Sequence, residues 1–484
     1  MLTLSLILIP LVVGILLLVV KNNNAKQIAL AGALVELALA GVVHSQFRPV
    51  ATPQFAFSYP WISSAGISFS GAIDGISLLL VLLTAFLTPL IILSTFRQPY
   101  KNASVFYALI LLMQSALMGV FTATDAFLFY VFFEAALIPV YFLAAVWGGE
   151  HRIKVTFKFF VYTIFGSLFM LVALVYLYYQ TTSTNGHTSD IAAFYKLALD
   201  AQKQGWIFGA FFIAFAIKMP IFPFHTWQPD TYTESPTPAT MLLAGIMLKM
   251  GIYGLIRFIL PIVPLGLEKW GDVALVLSII GIVYGSVIAI QQRDMKRLIA
   301  YSSLAHVGLM AAGVFSQTLS GVQGALIQML AHGINVVGLF FIVEIIFSRT
   351  KTRNIEQLGG ITQRTPQLTV YFMILMLGSV ALPLTNGFVG EFLLLKGVYE
   401  FNFWLGLVAG TTIILGAVYM LRLFQKSMFG QKNNFTEHFA DLSFSERAVL
   451  LPLAFMVFWI GLFPNSFLKL TEPAVSNLLQ MIHY

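Results

Sequence analysis

The run LLAGIMLKMGIYGLI, residues 242–256, decides the fold class of this chain. Every residue in it is hydrophobic or glycine except the central one, Lys249. A charge at the centre of a membrane helix costs about 2.5–3.5 kcal/mol on insertion scales, and such residues usually mark an ion or substrate pathway. The run therefore predicts a membrane helix with a function inside the bilayer.

The remainder of the chain has the same apolar character. Of its 484 residues, 58% are hydrophobic and 10% are charged, and a soluble protein this apolar could not cover its surface with polar groups. Runs of about 20 apolar residues recur, each able to cross about 30 Å of hydrocarbon as a helix. The alternating segments of a membrane β-barrel are absent. We therefore predict an all-α membrane protein with about fourteen transmembrane helices. The predicted spans are 3–20, 26–44, 72–96, 103–121, 124–146, 155–179, 206–234, 238–260, 272–291, 298–316, 320–347, 367–400, 403–429 and 446–465.

Several functions are excluded by what the sequence lacks. The chain has no cysteine, which excludes disulfides and cysteine-ligated iron–sulfur clusters within it. It has no glycine-rich phosphate loop, so nucleotide binding has no support. The run at 3–20 lacks the basic start and small-residue cleavage site of a signal peptide, and we expect it to be a retained span.

The basic residues predict the orientation. Eighteen Lys and Arg lie in or beside the odd-numbered connections, and six lie in the even-numbered connections and the C-terminal tail. By the positive-inside rule, the odd connections are cytoplasmic and both termini face outward. Topology and headgroup contact therefore account for the net charge of +7, and nucleic acid binding is not required.

Five ionisable residues lie near the centres of predicted spans. Lys249 is joined by Glu134 in the fifth span and Lys218 in the seventh, and by His306 and His332 in the tenth and eleventh. The three charged residues are either proton carriers or members of a buried structural ion pair. The histidines are either proton carriers or packed core residues. No ligand pair at helical spacing accompanies either histidine, which argues against a metal site.

Two predicted spans are interrupted by proline. The seventh contains Pro220, followed by His225, and the twelfth contains Pro383 ahead of Glu391. Unwound backbone inside a bilayer is tolerated where it lines a cavity, and paired interruptions indicate inverted repeats with ion sites. Simple kinking for packing is the alternative. We expect two inverted five-helix repeats, each with a broken helix. The expected segments are an N-terminal three-helix segment (1–101), the first repeat (102–260), the second repeat (261–430), and a C-terminal helix and tail (431–484).

Three motifs closely resemble those of the antiporter-like membrane subunits of respiratory complex I. They are KMPIFPFHTWQPDTYTESPTP at 218–238, RDMKRLIAYSSLAHVG at 293–308 and LPLTNGFVGEF at 382–392. The resemblance covers roughly residues 70–430. It implies that Glu134 pairs with Lys218, and that Lys249 occupies the central lysine position.

The resemblance also implies proton-relay roles for His306 and His332, and it indicates which type of family member this chain is. M-type members of the family have Glu at the twelfth-span position, as here with Glu391, whereas L- and N-type members usually have Lys. Three residues depart from the family motif, at Gln228, Thr231 and Tyr232, which puts local cytoplasmic contacts in doubt.

The resemblance implies a proton channel driven by redox chemistry in other subunits. The chain would be a non-redox subunit of a proton-translocating NADH:quinone oxidoreductase in the bacterial inner membrane. It would hold no cofactor, while NAD, FMN, iron–sulfur clusters and quinone would lie in partner subunits. The expected partners are neighbouring L- and N-type chains and the lipid bilayer, with no nucleic acid. Entry or gating is expected at His225, Pro220 and Pro383.

Three alternatives remain open at this point. The chain could serve a multi-subunit sodium/proton antiporter or a membrane-bound hydrogenase with the same fold. It could be a free-standing carrier of an organic solute, although its polar midplane groups are spread over at least six helices. It could also be a structural scaffold, which the cost of its buried charges disfavours.

Overall fold

The computed structural model describes residues 1–20, 24–182 and 186–482. Lys21, counted above among the basic residues of the first connection, lies outside the described residues. The described helices of seven or more residues are α1 (Leu2–Val19), α2 (Ala25–Gln46), α3 (Gly75–Ser94), α4 (Ala103–Thr122), α5 (Ala126–Trp147), α6 (Arg152–Gln180), α7 (Ala201–Lys218), α8 (Gln228–Glu234), α9 (Thr237–Ile262), α10 (Pro264–Gln291), α11 (Met295–Phe315), α12 (Leu319–Thr350), α13 (Pro366–Ser379), α14 (Asn386–Phe401), α15 (Phe403–Met428), α16 (Phe444–Leu462) and α17 (Asn465–Ile482).

Twelve of the described helices are long and apolar enough to cross a membrane. The two remaining predicted spans are the interrupted ones, the seventh as α7 and α8, and the twelfth as α13 and α14. The all-α membrane class is therefore confirmed. The expectation of about fourteen spans includes these two broken helices, each of which is divided by irregular backbone.

Short polar residues begin many of the helices. The carboxylates of Asp74, Asp125 and Asp294 accept hydrogen bonds from backbone N–H groups in the first turns of α3, α5 and α11. Ser443 and Glu446 form a capping box at the start of α16. These caps satisfy backbone donors that have no partner within the helix, so local sequence determines where the spans start.

The inner layer of the molecule consists of α3, α4, α9, α11 and α12. The apolar window of α9 is completely buried within the protein, whereas only 28% of the α15 window is buried. A helix that is apolar on all sides is covered by other helices or by lipid. The buried fraction of each span therefore distinguishes the protein-enclosed spans from the lipid-facing ones. Lys249, His306 and His332 all lie on enclosed helices.

Polar contacts between helix ends show that the connections lie on two faces of the molecule. Ends assigned to odd connections contact each other, as in the ion pair of Arg349 with Glu446 (2.7 Å) and the hydrogen bond from Gln98 to Glu344 (2.5 Å). We call this side the odd face. Ends assigned to even connections also contact each other, as in the ion pair of Arg257 with the Asp74 carboxylate. These contacts agree with the alternation deduced from the sequence.

Two elements on the opposite side from the odd face were not predicted. Strands β1 (Gln54–Ile62) and β2 (Ile67–Ile73) form an antiparallel hairpin between α2 and α3. Helix α17 packs on α3 and α12 with its buried residues on one side. Its buried positions, Thr471, Ala474, Val475, Leu478 and Leu479, follow the spacing of an amphipathic helix. The expected tail is therefore largely an ordered surface helix.

Arg257→Met is expected to destabilise the protein. The Asp74 and Arg257 side chains are only 8% and 16% exposed, and removal of one member of a buried ion pair typically costs about 3–5 kcal/mol. Burial raises the pKa of the Asp74 carboxyl, but the Arg257 guanidinium outweighs burial and holds this pKa below its ordinary value. The pair therefore stabilises above about pH 4 and loses this effect as the pH falls further. Thermal unfolding in detergent measures the loss.

Lys396→Met provides the control for this experiment. It breaks an exposed ion pair with Glu400, which is worth about 1 kcal/mol at most. An equal decrease in the unfolding midpoint for Lys396→Met and Arg257→Met would contradict the structural importance of the Arg257 contact.

Candidate functional site

Lys249 lies fully buried at the centre of the molecule. The turn before it, Leu243–Met247, is a π-helix, which shifts the backbone hydrogen bonds and often occurs at functional sites. The Lys249 Nζ donates a hydrogen bond to the Ala244 carbonyl (2.6 Å) and lies 3.0 Å from Nδ1 of His332. The lysine thus contacts one acceptor in its own helix and one in α12.

His332 links Lys249 to the next histidine. Its Nε2 lies 3.0 Å from the Ser303 hydroxyl, and its ring centroid is 5.8 Å from that of His306. When Lys249 carries its proton, Nδ1 of His332 is the acceptor and Nε2 is the protonated donor to Ser303. The imidazole therefore has a defined orientation between two helices.

His306 and Glu391 form the far end of this arrangement. Nδ1 of His306 is 3.1 Å from Oε1 of Glu391, and both side chains are buried. This distance meets the criterion for an ion pair, but the atoms lack hydrogen-bond alignment, and neither His306 ring nitrogen has a hydrogen-bond partner among the described residues. His306 is therefore close enough to exchange a proton with Glu391 after a small reorientation.

A small cavity of about 10 Å³ lies between the two histidines and α13. This volume is close to the minimum required by one water molecule. Gln328 and Asn335 line it from α12, and the Oε1 atom of Gln328 has no hydrogen-bond partner among the described residues. A polar site of this size can accommodate a bridging water between His332 and His306.

The break between α13 and α14 begins beside this cavity, which the end of α13 lines. The backbone has positive φ at Ala381 and Leu384, on either side of Pro383. After the break, the Asn386 side chain exchanges hydrogen bonds of 3.0 and 3.1 Å with the Asn335 side chain. The amide pair joins α14 to α12, which holds the start of the glutamate-bearing helix against the histidine-bearing one.

His225 lies in the break between α7 and α8. The imidazole is buried, with its ring centroid 5.0 Å from that of Tyr284, and its Nδ1 has no hydrogen-bond partner among the described residues. Lys158 anchors the same segment by donating to the Thr226 carbonyl (2.7 Å) and to the Asp230 carboxylate (3.1 Å). His225 thus lies within the irregular segment that begins at Pro220.

Lys218 ends α7 just before this break. It is only 2% exposed, and its Nζ lies 4.6 Å from the centroid of the Phe133 ring. Glu134 is half-buried on α5 and close enough to interact electrostatically with Lys218, but no ion pair within 4.0 Å joins the two in the described part of the chain. The pairing implied by the family resemblance is therefore an interaction at longer range here, with the aromatic ring in direct contact with the ammonium.

The site thus contains a contiguous group and a separate one. Lys249, His332, His306 and Glu391 are brought together, whereas Glu134 on α5 and Lys218 at the end of α7 form the separate group. The polar neighbours Gln328 and Asn335 were not among the predicted residues. Together with His332, they have i, i+4 and i+7 spacing in the sequence, which places them on one helix face. That spacing could have revealed them.

The chain matches the family model described as "NADH:quinone oxidoreductase/Mrp antiporter, TM" over residues 123–416. It is 43% identical over 429 residues to NADH-quinone oxidoreductase subunit M of Rickettsia typhi, covering 88% of this chain and 86% of the relative. It is also 36% identical over 484 residues to NADH-ubiquinone oxidoreductase chain 4 of Marchantia polymorpha, covering 98% and 96%.

Solved structures give the same result. A chain of respiratory complex I from Thermus thermophilus with bound NADH superposes with a TM-score of 0.92 at 32% identity, with complete coverage of both chains. A chain of the Mrp complex from Dietzia has a TM-score of 0.86 at 20% identity, covering 99% of this chain and 98% of that one, and this likeness concerns the fold alone. The predicted resemblance and its M type are confirmed, and the chain therefore belongs to the family of NADH-quinone oxidoreductase M subunits, antiporter-like membrane subunits of respiratory complex I.

Proposed function

We propose that this chain conducts protons across the membrane along the buried polar residues, as a non-redox subunit of an NADH:quinone oxidoreductase. The observation that carries the proposal is the continuity from Lys249 through His332 and His306 to Glu391, with distances of 3.0 Å at the first contact and 3.1 Å at the last. Four protonatable side chains within an apolar interior are costly to keep. Proton transfer explains why they are neighbours.

The transfer begins at Lys249. Its ammonium gives a proton to Nδ1 of His332, which leaves a neutral amine and an imidazolium. The Nε2 proton of that imidazolium then passes through water in the small cavity to His306, and from His306 to the Glu391 carboxylate. Each step moves one proton between groups that lie within hydrogen-bond reach or one water apart.

In this scheme, Lys218 passes protons to Lys249. Helices α7 and α9 pack closely, because a Cβ on Gly251 would lie 2.7 Å from the Cβ of Met219. The end of α7 that bears Lys218 therefore approaches the turn of α9 that bears Lys249. Glu134 acts as the counter-charge that favours the protonated form of Lys218. His225, in the segment beginning at Pro220, is the group through which protons enter the Lys218 end of the path. Pro383 maintains the corresponding break beside Glu391.

We infer that the odd face is cytoplasmic, in line with its excess of Lys and Arg, and that both termini face outward from a bacterial inner membrane. The segments at 1–101, 102–260, 261–430 and 431–484, with two inverted repeats, are part of this proposal. The broken helices support it because each is the fourth of five spans. In complex I the partners are other antiporter-like membrane chains, and NAD, FMN, iron–sulfur clusters and quinone are carried by other subunits.

Glu391→Gln tests the proposal. The amide cannot carry a proton, so we expect NADH-driven pumping by the reconstituted complex to fall about tenfold, equivalent to about 1.4 kcal/mol in the barrier. The measurement is the initial rate of ΔpH formation in proteoliposomes, together with NADH:quinone turnover. Glu400→Gln is the control, since that residue lies on the same helix but is exposed. Equal pumping by Glu391→Gln and the unaltered complex would refute the proposal.

A further inference from the structure

Helices α9 and α12 run antiparallel with two polar contacts between them. One is the contact of Lys249 with His332 at the centre of the molecule. The other joins the Thr237 hydroxyl to the Glu344 carboxylate at 2.5 Å. Each residue of the second contact lies twelve positions from its counterpart in the first, which corresponds to about 18 Å along both helices. A single seam between the two helices therefore connects Glu344 with the central lysine.

The seam opens into a cavity of about 540 Å³ on the cytoplasmic face, which we call the vestibule. The ionisable groups that line it are Glu344, Lys296, Glu234, Arg353, Tyr100, Glu150 and His151. This volume accommodates many water molecules. The vestibule thus places one end of the seam in contact with water.

Glu344 also lines a second cavity of about 200 Å³, on the other side of α12. There its carboxylate accepts a hydrogen bond of 2.5 Å from Gln98, and the ionisable groups around it are Arg97, Arg349 and Glu446. Among the described residues, Glu344 is therefore a carboxylate shared by two cytoplasmic cavities, positioned where the seam begins.

Lys296 is the second notable group of the vestibule. It is only 4% exposed, and its Nζ donates a hydrogen bond of 2.6 Å to the Ser235 carbonyl. It is close enough to Glu344 for electrostatic attraction. A carboxylate and an ammonium around one aqueous cavity can exchange a proton through its water.

The middle of the seam is closed in this structure. A Cβ on Gly245 would lie 2.6 Å from a methyl group of Val337, and Met241 and Phe340 are fully buried. Apolar contacts of this kind leave no room for water. Passage from the vestibule to Lys249 requires these contacts to separate, which makes the seam a gate.

We propose that Glu344 is the proton-collecting residue of a second cytoplasmic entry, which serves the Lys249–His332 pair along the α9–α12 seam. A hydronium ion in the vestibule transfers its proton to a Glu344 carboxylate oxygen, leaving water and the neutral acid. When the seam is hydrated, that acid releases the proton to seam water, and the proton reaches the neutral Lys249 amine. This inference rests on the proposed function, because it assigns an entry to the same chain of residues.

The first test compares pH profiles of coupled turnover. In Glu344→Gln, which cannot collect protons, we expect turnover to fall about tenfold at high pH, a typical gain from electrostatic focusing in a cleft. At low pH we expect a ratio close to one, because abundant hydronium replaces the lost group. Glu344→Asp should restore most of the high-pH rate. Glu437→Gln, which removes an exposed carboxylate from the same face, should leave the profile unchanged.

These variants distinguish a failure of the proposed entry from a failure of the proposed function as a whole. A pH-independent decrease in Glu344→Gln that Asp does not restore would indicate a structural role and overturn the inference, as would an unchanged profile. If Glu391→Gln loses pumping in the same membranes, such a failure concerns the entry alone. If Glu391→Gln pumps normally, the proposed function itself has failed.

The second test does not depend on activity. Because the chain has no cysteine, a single Thr237→Cys substitution can be followed on this subunit after the assembled complex is separated by electrophoresis. A membrane-impermeant thiol reagent added at the cytoplasmic face should label it through the vestibule. Thr84→Cys, in a buried part of α3 that lines neither cavity, should remain unlabelled. Absence of labelling at Thr237→Cys, or labelling only from the outer face, would overturn the inference.

Discussion

Replacing Lys249 with methionine is expected to abolish proton pumping and to lower coupled NADH:quinone turnover by about a hundredfold, the usual minimum effect of losing an acid–base group. The lysine is fully buried with its Nζ 3.0 Å from Nδ1 of His332, and it is the proton donor to that imidazole in the proposed transfer. No second ammonium is within hydrogen-bond distance of the imidazole in the described structure. Methionine has a similar length and no charge, so the packing of α9 should survive. The complex should therefore assemble without pumping.

Turnover and ΔpH formation in proteoliposomes measure this effect, and native electrophoresis verifies assembly. Lys396→Met is the control, because its side chain is half-exposed at 51%. Normal pumping by Lys249→Met would exclude the lysine from the proton path. Failure of Lys249→Met to assemble would instead assign it a structural role, and Lys249→Arg, which retains a charge, would then be expected to restore assembly but not rapid proton transfer.

Glu134→Gln is also expected to abolish pumping and to lower coupled turnover by about a hundredfold. The carboxylate lies beyond ion-pair distance from Lys218 but acts on it electrostatically. Without that charge, the buried ammonium keeps only the Phe133 ring as a favourable partner among the described residues, and a cation–π contact is worth about 2 kcal/mol when desolvated. In the proposed mechanism, Lys218 then lacks the counter-charge that favours its protonated form.

The control for this prediction is Glu437→Gln, which removes an exposed carboxylate from the connection before α16. Assembly, turnover and ΔpH formation are compared in the same membranes. Full activity in Glu134→Gln would eliminate the counter-charge role, whereas a partial loss that Glu134→Asp reproduces would indicate that distance to Lys218 matters more than charge.

The transmembrane helices were predictable because the bilayer imposes local rules. Span length follows from hydrocarbon thickness, and the cost of a buried charge identifies residues such as Lys249 within one helix. Proline likewise marks a break without any knowledge of neighbours, and both predicted breaks, at Pro220 and Pro383, coincide with irregular backbone. The hairpin of β1 and β2 lies outside these rules because residues 54–73 contain no apolar run of span length.

The partners of the buried residues were not predictable in this way. Lys249 contacts His332, which is 83 positions away in the chain, and only the packing of α9 against α12 brings them together. The amide pair of Asn335 with Asn386 and the position of Glu344 on two cavities depend equally on which helix faces meet. The separation of Glu134 from Lys218 beyond ion-pair distance is also a result of helix packing.

The sequence by itself therefore determined that this is a multi-helix membrane protein with ionisable residues at mid-bilayer depth and two broken spans, because each of those properties follows from one segment and its solvent. Only the tertiary structure decided the order in which those residues touch, and it added the seam from the vestibule to Lys249. The physical reason is that proton transfer requires contacts of about 3 Å between groups on different helices, and such contacts depend on helix rotation and spacing that hydrophobicity within one span does not specify.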